Sequence, residues 1–104
     1  MSTVQLSPQA REDLVSIWLY LAEQTSEDLA DKFIDDLQAF CRNIAAMPGR
    51  GRAQDFIRPQ LFKINFKSYS IYYDLIDSKE NFSHIVIRRF WHQSRDLDNL
   101  EIDI

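Results

Sequence analysis

Cysteine, glycine and proline are scarce in this chain: one, two and three respectively among 104 residues. A lone Cys41 cannot close an internal disulfide, which excludes a disulfide-stapled secreted scaffold and fits a reducing cytosol. So little glycine and proline excludes a collagenous, low-complexity or loop-dominated chain. The two histidines, His84 and His92, lie apart and have no closely spaced ligand set beside them, so no metal and no cofactor is expected. A Gly-rich phosphate loop, a His-Glu-x-x-His pair and a nucleophile elbow are all missing. No apolar run reaches the roughly 18 residues of a membrane span, and no apolar core of a signal peptide opens the chain. The expected location is therefore the cytoplasm, with no membrane partner.

What is present suits one α+β domain over residues 1–104, ending in an acidic tail from about 97 to 104. Hydrophobic residues make up 45% of the chain, enough for a modest core at this length. The formal net charge of −4 hides an uneven distribution. Residues 1–49 carry three cations against eight acids, a balance of −5. Residues 50–95 carry nine cations against four acids, a balance of +5, and residues 96–104 add four acids. A basic middle between acidic ends is a local field that the total conceals.

Local signals order the elements. Thr3–Leu6 reads as an edge or first strand. Ser7 then offers N-cap chemistry and Pro8 suits the first helical position. Ala10, Leu14, Ile17, Trp18 and Leu21 recur at helical spacing, with Arg11, Glu12 and Asp13 opposite, predicting a helix over about 8–24. Thr25-Ser26-Glu27-Asp28 restarts the chain as a second helix over about 27–47, with the stripe Leu29, Phe33, Leu37, Phe40, Ile44 and Met47. Pro48-Gly49 ends it. Cys41, beside that stripe, reads as a buried and inert thiol. Residues 50–60 lack periodicity and read as a basic loop with, at most, a short extended piece.

From Leu61 the period changes to two. Phe62, Ile64 and Phe66 share one face, and Lys63, Asn65 and Lys67 the other. Tyr69–Ile76 is rich in aromatic and β-branched residues. Asp77–Asn81 is a loop of turn formers, and His84–Phe90 is the last strand. The expected architecture is an N-terminal strand, an antiparallel helix hairpin, a three-stranded antiparallel meander and a short C-terminal segment. On the last strand Ile85 and Ile87 should face the helices. His84, Val86 and Arg88 should then face the open side of the sheet, joining Lys63, Asn65 and Lys67 there, with His92 continuing that parity. Arg89, on the core-facing parity, should pair with a carboxylate such as Asp96 or cap the helix hairpin.

The stretch Arg88-Arg89-Phe90-Trp91-His92-Gln93-Ser94-Arg95-Asp96 concentrates cations and aromatics at a strand end. Several pieces of the chain, in order, resemble the ParE-type toxins of the RelE/ParE superfamily of bacterial toxin–antitoxin systems. Leu6–Leu14 followed by Ile17-Trp18 resembles their opening. Met47-Pro48-Gly49-Arg50-Gly51-Arg52 resembles the helix-ending motif, Tyr69-Ser70-Ile71-Tyr72-Tyr73 the tyrosine strand, and Arg89–Leu97 the closing Arg-x-x-His-x-x-Arg-Asp. Asp74 stands where the family commonly has a basic residue.

The resemblance implies a RelE-like fold and neutralisation by a ParD-like antitoxin that lays a helix, with or without a strand, over the toxin. It further implies DNA gyrase as the target, bound without catalysis, and no sequence-specific nucleic-acid binding. Arg88, Trp91, His92 and Arg95 would contact the target, flanked by the basic loop and sheet face of Arg50, Arg52, Arg58, Lys63 and Lys67. Two alternatives stay open. RelE-like members cut mRNA on the ribosome, which here would use His92 for proton transfer with Arg88 and Arg95 stabilising the phosphate. The other is a non-toxic module that only binds an antitoxin-like helix.

Overall fold

The computed structural model describes residues 2–46, 50–77 and 83–102. Strand β1 (Ser2–Leu6) leads into helices α1 (Pro8–Gln24) and α2 (Glu27–Ala46). Strands β2 (Arg52–Ala53), β3 (Leu61–Phe66), β4 (Tyr69–Asp77) and β5 (Ser83–His92) follow, and a short 3-10 helix, Leu97–Asn99, lies in the tail. Both helix starts obey local chemistry. The Ser7 hydroxyl accepts from the Ala10 amide at 3.1 Å, with Pro8 at the first helical position, and the Ser26 hydroxyl accepts from Leu29 at 3.1 Å. Met47, Pro48-Gly49 and most of the Asp77–Asn81 loop lie outside the described residues.

The strands form one sheet in the order β1-β5-β4-β3-β2. The meander β3-β4-β5 is antiparallel as expected, but β1 runs parallel to β5, so the sheet is mixed. The helical hairpin between β1 and the rest supplies the long crossover that a parallel neighbour requires. The short extended piece allowed in the basic loop is β2, paired to β3 through Arg52 and Lys63. Between β3 and β4 the turn has two residues, and Lys67 takes a φ of 52°.

The core lies between the hairpin and one face of the sheet. Ala10, Leu14 and Ile17 of α1 and Leu37, Cys41 and Ile44 of α2 meet Ile71, Tyr73, Ile85, Ile87 and Phe90. One position of the predicted α2 stripe is wrong. Leu29 is 56% exposed, and the buried residue of that turn is Ala30. The buried line runs 30, 37, 41 and 44, a helical spacing that begins one residue later than the sequence pattern suggests. Gly51 is required by contact rather than by φ: a Cβ there would collide with the Tyr73 ring and hydroxyl.

Burial pushes the Cys41 thiol up to about 12 from an ordinary 9.0, against a smaller opposing pull from Arg42. The folded state therefore holds this proton more tightly than the unfolded chain does. That contribution to stability is complete below pH 9.0 and declines as pH rises toward about 12. Burial raises Tyr69, Tyr72 and Tyr73 in the same sense. Urea midpoints should thus be flat near neutrality and fall in alkali. A Cys41→Val variant should lose part of that slope, up to about 1.4 kcal/mol per pH unit; an unchanged slope would show the thiol to be irrelevant.

Candidate functional site

A β-bulge decides where the cationic strand end points. Along β4–β5 the register passes from Tyr72↔Arg89 to Tyr73↔Ile87, so Arg88 is an extra residue. A bulge by one residue inverts the alternation beyond it. Ile87 and Phe90, three residues apart, both face the core as a result. Trp91 goes to the open face beside Leu61 and Tyr72, while His92 goes to the helix side.

His92 is therefore not on the open face. Its ring meets Tyr69 edge-on at 5.0 Å and lines a groove of about 570 Å³ between α1, α2 and the sheet. Ile17, Leu21, Phe33 and Phe90 form the apolar part of that groove, with Lys67 and Arg95 at its rim. The Ser94 amide donates to His92 Nδ1 at 3.0 Å, and the Ser94 hydroxyl lies 2.6 Å from the same atom. An amide can only donate, so Nδ1 accepts and the proton of the neutral ring sits on Nε2. Lys67 also leaves its predicted face. Its ammonium lies 5.5 Å from the Phe33 ring centroid and 5.4 Å from that of Phe66, because the left-handed φ at Lys67 turns it away from the strand's alternation.

Arg88 does reach the open face, where it is committed to the scaffold. Asp74 accepts from Arg88 Nε at 2.7 Å and from Arg58 Nη2 at 2.6 Å, both on Oδ2. Asp74 is thus the hub that ties the basic loop to β5. Arg89 also finds a carboxylate, but Asp13 of α1 rather than Asp96. The pair is bidentate, Nε to Oδ2 at 2.8 Å and Nη2 to Oδ1 at 3.0 Å, and Oδ2 also accepts the Phe90 amide at 3.0 Å. Asp96 instead caps the 3-10 helix through the Asp98 amide.

Trp91, expected at the target surface, is only 1% exposed. The Arg95 guanidinium stacks 3.7 Å over its ring, and Arg89 lies 5.0 Å from it. Leu100 and Ile102 pack over the same cluster. Tyr72, on the same face, is equally buried. Lys63, Asn65, Ser70, Gln93 and Arg95 line a smaller cavity of about 240 Å³ beside it. Arg50 and Arg52 are exposed in the basic loop. Among the described residues no group of three His, Cys, Asp or Glu side chains could hold a metal ion, and no helix is long and apolar enough to cross a membrane.

The structure thus divides the predicted cluster in two, with His92 on the helix-side groove and Arg88 and Trp91 on the open face. Arg95 alone borders both cavities. Asp13 was the residue missed. Polarity sets it on the solvent side of α1, yet it falls within the Ala10–Leu14–Ile17 stripe at i+3 from Ala10 and i−4 from Ile17, a signal legible in the sequence.

A strand feeding a helical hairpin, then a basic antiparallel meander with a groove between hairpin and sheet, is the RelE-like α+β fold. This fold recurs in solved toxin–antitoxin structures. A chromosomal ParDE toxin–antitoxin system from P. aeruginosa matches with a TM-score of 0.72 at 16% identity, over 88% of this chain and 96% of that one. The RelBE2 toxin–antitoxin complex from Mycobacterium tuberculosis matches with a TM-score of 0.64 at 20% identity, over 86% and 95%. At such identities the likeness concerns the fold alone. Sequence goes further: residues 4–97 match the family described as ParE toxin of type II toxin-antitoxin system, parDE. Toxin ParE1 of Mycobacterium tuberculosis is 32% identical over 93 residues, 89% of this chain and 91% of that protein. The chain belongs to the ParE toxin family of type II toxin–antitoxin systems.

Proposed function

We propose that this toxin arrests DNA gyrase by binding rather than by catalysis, and that a ParD-like antitoxin neutralises it by laying a helix in the groove between hairpin and sheet. One observation carries the non-enzymatic reading: the three residues an RNase would need are not gathered around one phosphate position. Arg88 is held by Asp74, whose negative charge would oppose a phosphate beside it. His92 lies on the other side of the sheet, with its Nδ1 accepting from the Ser94 amide. The chain's formal net charge of −4 is also unsuited to docking into ribosomal RNA. Support for the antitoxin comes from the family's parDE systems and from a groove with an apolar floor and cationic rim.

The decisive experiment is a gyrase cleavage assay with purified toxin and supercoiled plasmid. Trapped linear DNA, relieved by co-expressed antitoxin, is expected. An active preparation that traps no cleaved DNA would end the proposal, and codon-positioned cuts in mRNA after induction would install the endonuclease reading in its place. Harmless overexpression of folded protein would point to the non-toxic module. Arg95 is the exposed cation bordering both cavities, so Arg95→Ala should relieve growth arrest at a cost in folding stability of no more than about 1 kcal/mol, the worth of its stacking on Trp91. Retained toxicity would remove Arg95 from the target contact.

A further inference from the structure

The open face of a sheet against solvent is ordinarily polar, yet here it carries Leu61, Tyr72 and Trp91, each no more than 1% exposed. What covers them is not a helix of the fold but the C-terminal segment, through the partly buried Leu100 and Ile102, together with the Arg95 guanidinium on the Trp91 ring. That segment is slight. Its 3-10 helix has three residues, with Leu97 half-exposed. Among the described residues, the hydrogen bond that ties it to the body is accepted by the Glu101 carbonyl from Arg89 Nη1 at 2.6 Å. Arg89 does not depend on this bond, because Asp13 already holds its guanidinium by two others.

Two further observations bear on how firmly the cover sits. Among the described residues nothing accepts from the Trp91 indole N–H, which is buried. A donor left unmatched in the closed state would regain a partner on exposure to water, which narrows the gap between closed and open states. Moreover, Leu97-Asp98-Asn99-Leu100-Glu101-Ile102 mixes apolar and acidic residues. The surface it covers mixes Tyr72 and Trp91 with Arg89, Arg95 and the nearby Lys63. The segment is thus the electrostatic and apolar complement of what lies beneath it.

We propose that residues 97–102 form a releasable strap over an interaction surface on the open face of the sheet. Its proper partner is an extended peptide segment of mixed apolar and acidic residues, for which the strap stands in. Closed, the strap buries Tyr72 and Trp91. Released, it presents two aromatic rings flanked by cations, and a competing segment of the partner takes its place. This surface lies on the opposite side of the sheet from the groove assigned to the antitoxin helix, the two meeting at Arg95, and the inference does not depend on which target the toxin poisons.

The test uses Trp91 as reporter in a Trp18→Phe background, comparing the full chain with one ending at Arg95. Removal of the tail should raise acrylamide quenching of Trp91 several-fold while the cooperative melt is kept. A synthetic peptide of residues 96–104 added in trans should restore the shielding; the same peptide with Leu100 and Ile102 replaced by Ser should not. In the full chain, amide exchange at residues 97–102 should be far faster than in β4 and β5. Four results would each overturn the proposal: unchanged quenching, a shortened chain that no longer melts cooperatively (the tail then being core), no restoration by the peptide, or tail amides as protected as those of the central strands.

Discussion

Asp13→Ala is expected to cost about 3–5 kcal/mol of folding stability, the range for stripping one partner from a buried, hydrogen-bonded ion pair. Asp13 and Arg89 keep only 14% and 12% of their side-chain surface exposed, so solvent would do little to rehydrate the stranded guanidinium. The carboxylate also accepts the Phe90 amide, leaving a backbone donor at the bulge without its partner. Arg89 would lose its orientation over Trp91 as well, which adds a cation–π loss of order 0.5–1 kcal/mol. Urea unfolding with an unchanged m-value would measure the effect. Removing both charges, as Asp13→Leu with Arg89→Met, should recover much of the loss, since two apolar groups strand nothing. A single-variant loss below about 1 kcal/mol would show that water reaches the pair more freely than its burial implies.

Leu37→Ala should be comparably damaging, at about 2–5 kcal/mol. Leu37 is fully buried in the middle of α2, within the cluster that joins both helices to β4 and β5. Shortening it removes the transfer energy of the lost methyl groups and leaves a cavity whose lining loses packing contacts. Since a domain of this size commands only roughly 5–15 kcal/mol in total, either substitution alone could bring the midpoint close to physiological temperature. A loss below about 0.5 kcal/mol for Leu37→Ala would mean that the buried line of α2 has been misassigned.

The two sites differ in how they could be read. Leu37 is evident from periodicity alone, because a helix repeats its buried face every three or four residues whatever it packs against. The Asp13–Arg89 pair joins residues 76 positions apart, and no local rule links them. Placing His92 on the wrong face came from the same kind of distance. The bulge at Arg88 depends on how β5 fits against β4, although the three-residue step from Ile87 to Phe90 carries a trace of it. Trp91 reads as a surface candidate because the residues that cover it, Leu100 and Ile102, stand nine or more positions further along in an acidic tail.

The sequence by itself determined the element order, the helix starts at Ser7-Pro8 and Ser26, the burial of Cys41 and the ordered motifs of the ParE family. All of these rest on capping chemistry, periodicity or residue identity within a few positions. Only the tertiary structure decided that β1 runs parallel to β5, that Asp13 holds Arg89 and Asp74 holds Arg88, and that the basic strand end divides between two faces. Those outcomes depend on which distant segments meet. Strand alternation is so strict that a single extra residue at Arg88 sends His92 to the groove and Trp91 beneath the tail.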